Sequence, residues 1–170
     1  MAQISPFIRP AEPEDALAVA RVHVRAWQAA YRGLLPDTYL DALNPEDRAQ
    51  RYTFGDLDSL RPATLVALAG GALCGFATTV PTQEVGKAEL AGLYVDPGHW
   101  SHGIGTLLLA EACARLATRG FSDAVLWVLG GNTRAQGFYE QRGWREDGVT
   151  RKQDVWGISV QESRYSRRLP

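Results

Sequence analysis

The sequence predicts a mixed α/β domain: a sheet holding both antiparallel hairpins and a parallel crossover, with helices packed on it. Three observations predict it. Residues 88–95 form a short apolar run ending in Leu93-Tyr94-Val95, and turn chemistry and a glycine-rich helix start follow directly. Gly70-Gly71 separates two strand-like runs, which is a two-residue hairpin signal. Ala124-Val125-Leu126-Trp127-Val128 is a buried-strand pattern with helical segments on either side. With 170 residues, 45% of them hydrophobic and 22% charged, the chain suits one domain with a proper core.

Taken in order, Phe7-Ile8-Arg9 is a short strand. A helix start follows, with Pro13 in its first turn and Glu12, Glu14 and Asp15 complementing the dipole. Leu17, Ala20, Val24 and Trp27 recur at helical spacing, Tyr31 lies one turn on, and Gly33 closes the helix. Pro36 opens a second short helix and Asn44-Pro45-Glu46 a third, running through Arg48 and Arg51. Strands follow at 63–69, 72–80 and 88–95, then a helix over 105–118 capped by Gly120. A strand over 124–128 precedes a helix from Asn132 through Arg142, with Gly143 past its end. Two strands, 144–149 and 158–165, close the chain.

The bulk numbers exclude several classes. Net charge is −1 without a basic stripe, which argues against nucleic acid as a partner. Cys74 and Cys113 stand far apart in apolar surroundings, so neither a disulfide framework nor a metal site is expected. No signal peptide and no run of transmembrane length is evident, giving a soluble, cytoplasmic expectation with no membrane partner.

The stretch from Asp96 to Thr106 has the chemistry of an anion site. A helix N-terminus offers unpaired backbone N–H groups and partial positive charge. Gly103 and Gly105 let a phosphate approach the backbone with no Cβ in the way. There is no Walker lysine, and Leu108 stands where a dinucleotide fingerprint needs its third glycine. On this stretch alone, a tight turn that simply requires glycine fits equally well.

The loop Trp100-Ser101-His102-Gly103-Ile104-Gly105 resembles motif A of the GNAT superfamily of N-acetyltransferases, [RQ]-x-x-G-x-[GA] after a strand, with Trp100 in place of the usual Gln or Arg. A second stretch, Asn132-Thr-Arg-Ala-Gln-Gly-Phe138-Tyr139 ending in Gly143-Trp144, resembles motif B, N-x-x-A-x-x-F-Y-x-x-x-G-[FW]. Periodicity alone gives only a capped helix there, with Ala135, Phe138, Tyr139 and Arg142 near one another at three- and four-residue steps. The resemblance covers essentially the whole chain, most specifically residues 89–144. It implies a GNAT fold: about seven mixed strands, about four helices, and two parallel strands splayed around an acetyl-CoA site. It also implies that the main chain of Leu93, Tyr94 and Val95 pairs with the pantetheine arm as an added strand would. Trp100, Ser101, His102, Gly103, Ile104, Gly105 and Thr106 would cradle the pyrophosphate, and Asn132 would touch the pantetheine. Homodimers are common in the family.

Acetyl transfer to an amine needs a base for the ammonium, donors for the oxyanion and a proton for the leaving thiolate. Tyr139 occupies the place of the family's usual acid, and a phenol of pKa near ~10 can share a proton with a CoA thiolate. The bland alternative is a core tyrosine. Glu89, four residues before Leu93, is the candidate base, acting directly or through water; the alternative is a solvated strand carboxylate. Leu93 N–H would polarise the thioester carbonyl. His99 and His102 read as exposed loop residues, and His23 as packing or surface. Trp27 reads as core, whereas Tyr31, Tyr39 and Tyr52 are candidates to frame an acceptor pocket. The expected activity is acetyl-CoA-dependent acetylation of a small-molecule amine. Acetylation of a peptide or protein amine, or a non-catalytic acyl-CoA-binding module, are the alternatives.

Overall fold

A computed structural model describes residues 5–56 and 61–170. Among these, seven strands form one sheet in the order β1-β2-β3-β4-β5-β7-β6. β1 (Phe7–Pro10), β2 (Ala63–Ala69), β3 (Ala72–Pro81) and β4 (Lys87–Val95) are successively antiparallel. β5 (Asp123–Leu129) lies parallel to β4. β7 (Ile158–Arg168) then pairs with β5, and β6 (Arg145–Val155) forms the outer edge. The helices are α1 (Ala16–Ala30), α2 (Asp37–Asp41), α3 (Pro45–Ala49), α4 (Ile104–Thr118) and α5 (Thr133–Glu140).

The period-two alternation of β2 shows how the sheet is covered on both faces. Leu65 and Ala67 pack with Leu108 and Leu116 of α4, whereas Val66 between them packs with Val19 and Val22 of α1. Each such fully buried aliphatic side chain contributes roughly 1.5–3 kcal/mol. Gly75 on β3 permits the close seating of α4, because a Cβ there would lie 3.0 Å from Leu108 Cδ1. Trp144, directly after the αL residue Gly143, is fully buried in the same cluster as Leu108.

Several boundaries differ from expectation. Five helices form, as the reading element by element expected; α2 and α3 are separate single turns. α3 stops at Ala49 and not at Arg51; its start is fixed by Asn44 Oδ1, which accepts from Glu46 N at 2.8 Å and Asp47 N at 3.2 Å. β6 runs to Val155, beyond Val149, because its pairing with β7 resumes past an irregularity between Glu146 and Thr150.

Two irregularities in β4 position the site. Thr78 pairs with Gly92 but Thr79 pairs with Leu90, which leaves Ala91 outside the register as a bulge. β4 and β5 pair only at Lys87–Asp123, Ala88–Ala124 and Glu89–Val125. Beyond Glu89 the two parallel strands diverge, and the edge of β4 facing β5 has no ladder partner among the described residues.

Candidate active site

A cleft of about 720 Å³ occupies the divergence between β4 and β5. Every residue expected to hold the cofactor borders it except His102. The His102 ring is exposed and hydrogen-bonds through Nδ1 to Trp100 O at 2.7 Å, because it leaves the loop away from the cleft. His99 borders the cleft instead, with its Nδ1 buried and unpaired among the described residues.

The loop is pinned from both ends. Asp96 accepts from Gly98 N at 3.0 Å and ion-pairs with Arg25 of α1. Trp100 Nε1 donates to Val95 O at 2.8 Å, so the indole closes the last carbonyl of β4. Ser101 at φ 65° and Gly103 at φ 79° turn the chain through the left-handed region. Gly103 is the N-cap of α4, and no side chain caps that end. The first amides of α4 are therefore free to meet an anion.

Two arginines on or just past α5 add charge here, and sequence reasoning passed over both. Arg134 places its Cζ 3.5 Å from the centroid of the Trp100 ring. Arg142 donates to Thr106 Oγ1 through Nη2 at 2.7 Å and Nε at 3.1 Å. Both border the cleft. The usable signal was two arginines within motif B, which matters only once α5 is known to lie against the glycine loop. Asn132 also borders the cleft, and its Oδ1 caps α5 by accepting from Ala135 N at 3.2 Å.

Tyr139 is 9% exposed and packs edge-on against Phe138 and Trp144 while bordering the cleft. Burial, and the nearby Tyr94 and Cys113, hold its phenol above the ordinary range, so it is protonated. Tyr31 is also held well above its ordinary value, mainly by burial, with Tyr94 and Tyr139 among its neighbours.

A second cavity of about 500 Å³ adjoins the first. It shares Tyr31, Leu90, Ala91, Gly92 and Tyr94 with the first, and also Trp127 and Leu129 of β5. Glu89 borders this second cavity and not the cleft, half-buried, with no hydrogen bond or ion pair among the described residues. Tyr52 lines it too; burial raises its phenol to about 12, and its hydroxyl is hydrogen-bonded to His23 Nδ1 at 3.0 Å. His23 is buried packing, as expected, and Trp27 is core that also reaches the cavity wall. Tyr39 does not line the cavity: its hydroxyl donates to Trp156 O at 3.0 Å and ties α2 to the β6–β7 turn.

The acetyltransferase (GNAT) family model matches residues 24–144. The chain belongs to the GNAT acetyltransferase family. By that membership it is an acetyl-CoA-dependent N-acetyltransferase. It is 30% identical over 145 residues to a probable N-acetyltransferase of Mycobacterium tuberculosis, covering 84% of this chain and 82% of that one. It is 30% identical over 125 residues to the uncharacterized N-acetyltransferase YuaI of Bacillus subtilis, covering 72% and 70%. The crystal structure of the PaiA N-acetyltransferase of Thermoplasma acidophilum in complex with coenzyme A has the same fold. It superposes with a TM-score of 0.72 at 24% identity, over 96% of this chain and 99% of that one. Among the described residues, no helix of this GNAT protein is long and apolar enough to cross a membrane.

Proposed function

We propose that this GNAT protein transfers the acetyl group of acetyl-CoA to the primary amine of a small molecule, by direct attack in a ternary complex in the cytoplasm. One observation carries the reading. The cleft of about 720 Å³ and the cavity of about 500 Å³ meet along Leu90–Gly92, at the strand where the family's thioester lies.

In this reading the main chain of Leu93, Tyr94 and Val95 holds the pantetheine along the unpaired edge of β4, with the Asn132 side chain beside it. The amides from Trp100 through Thr106 hold the pyrophosphate, supported by the cations of Arg134 and Arg142. Glu89 takes a proton from the entering ammonium, directly or through water. The neutral amine attacks the thioester carbonyl, and the Leu93 N–H stabilises the oxyanion. The new C–N bond forms, the C–S bond breaks, and Tyr139 protonates the leaving thiolate. The nitrogen loses two protons in all; one ends on the thiol and one in solvent. The phenol stays protonated through the neutral range, while burial, by raising its pKa, makes it a weaker donor to the thiolate than a free phenol. The size of the second cavity favours a small amine over a peptide, which needs an open groove.

Tyr139→Phe tests the assignment. Turnover should fall by about a hundredfold or more, as for loss of a general acid, while acetyl-CoA affinity measured by calorimetry stays within about twofold. Unchanged turnover would remove Tyr139 from the acid role.

A further inference from the structure

The second cavity contains a cation that the transfer chemistry does not use. Arg48, just inside α3, is half-buried in the cavity wall. Its guanidinium carbon lies 4.4 Å from the centroid of the Trp156 ring and 5.5 Å from that of Tyr52. Its Nε is buried without a hydrogen-bond partner among the described residues. Burial weakens its hold on its proton, although it stays a cation. Three other half-buried arginines are differently placed. Arg9 closes on Asp15 at 2.7 Å, Arg151 on Glu162 at 3.0 Å and Arg164 on Asp147 at 2.7 Å. Among the described residues, Arg48 has no carboxylate.

A desolvated guanidinium without a counter-ion is costly unless something completes it. The precedent is on the same molecule: Arg134 and Arg142, also without carboxylate partners among the described residues, border the cleft assigned to an anionic co-substrate. Arg51 borders the second cavity as well and adds positive charge there. The one uncommitted carboxylate on the β4 wall is Glu89, on the strand shared with the cleft. Asp154 is held by Gly157 N at 3.0 Å, and Glu162 by Arg151. The cavity thus offers a carboxylate at the wall where the amine must react, and on α3 a guanidinium that is hydrogen-bonded to the Tyr52 hydroxyl but whose Nε has no partner among the described residues.

We propose that the acceptor is a small amine that also carries an oxyanion, a carboxylate or a phosphonate, and that Arg48 receives that oxyanion. This rests on the acetylation of amines proposed above. Packing over Trp156 limits the freedom of the guanidinium, and a restrained planar fork suits recognition of a planar carboxylate. Binding both ends of such a molecule aims its amine at β4.

The test compares matched twins on the wild-type protein: an α-amino acid with its carboxamide, and an aminoalkylphosphonate with the corresponding alkylamine. The expected result is a kcat/KM on the order of ten- to a hundredfold higher for the anionic twin of at least one pair. Which pair responds identifies the oxyanion. In Arg48→Met, which keeps the apolar stem, that ratio should fall to near one; in Arg48→Lys it should be intermediate. Equal rates for anionic and neutral twins overturn the proposal while leaving amine acetylation standing, and so does a ratio that survives in Arg48→Met. Acetylation confined to peptide amines overturns it as well. If acetyl-CoA binds but no amine in any pair is acetylated, the underlying reading falls and takes this proposal with it. The wild-type comparison does not depend on any variant folding.

Discussion

His23 sits at the centre of an aromatic cluster: ring centroids lie at 4.5 Å from Trp156, 4.7 Å from Tyr94, 5.2 Å from Phe76 and 5.8 Å from Trp27. Burial first, and the Arg48 cation second, keep its pKa well below the usual 6.5. The folded protein therefore holds His23 neutral while the unfolded chain takes up a proton as pH falls through about 6.5. Its contribution to stability is present above that pH and is lost on acidification. We predict that unfolding free energy falls below pH 6.5 with a slope about 1.4 kcal/mol per pH unit steeper in the wild type than in His23→Asn. Denaturant titrations of both proteins from pH 7.5 to 5 measure this, and parallel curves would refute it. The same scale explains Trp100. Where the family usually carries Gln or Arg, the indole here donates to Val95 O, and a cation returns to the loop from Arg134 stacked on the ring. Nothing in the local sequence at Trp100 announces that exchange, because its two halves lie 34 positions apart. Arg48 is equally silent, since a lone arginine on a short helix reads as a solvated one.

At the scale of elements, the loop from β4 into α4 was legible because its signals are local: Asp96-Pro97-Gly98 is turn chemistry, and Gly103 supplies the left-handed residue that starts the helix. The Gly70-Gly71 hairpin was legible for the same reason, both glycines having positive φ. The divergence of β4 from β5 was not readable from residue pattern. It depends on a bulge at Ala91 and on how few parallel pairs survive, both of which are set by tertiary pairing. The sequence anticipated the divergence only through its family resemblance. The loop reading makes a separable prediction. A Cβ at Gly103 meets nothing within 4 Å, but φ 79° disfavours any L-residue. Gly103→Ala therefore isolates backbone strain, and Gly103→Glu adds an anion where the amides await one. Calorimetry should find acetyl-CoA affinity only a fewfold weaker in Gly103→Ala and weaker still by at least roughly tenfold in Gly103→Glu, a difference worth about 1.4 kcal/mol. Equal affinities of the two variants would mean that the phosphates lie elsewhere.

For the whole molecule, the decisive arrangement is that two cavities share a wall built from β4 and β5. An acyl-enzyme route would need a nucleophile that both substrates reach in turn. The two thiols are poorly placed for it. Cys74 is fully buried with its Sγ donating to Ala67 O at 3.3 Å, and Cys113 is buried on α4. Neither borders the cleft or the second cavity. Burial raises both thiols above their ordinary range, so little thiolate is present at neutral pH. In the proposed reading, the shared wall at Leu90–Gly92 instead lets an amine in the second cavity face a thioester in the cleft without an intermediary. Intact-protein mass spectrometry after incubation with acetyl-CoA alone should accordingly show no stoichiometric acetyl adduct on either cysteine. Initial-rate lines at varied amine and acetyl-CoA should intersect, as a ternary complex demands. Parallel lines with an acetylated Cys74 or Cys113 would mean that the cavities are used one after the other. Their meeting on β4 would then be a consequence of the bulge and the splayed sheet, and not the geometry of the reaction.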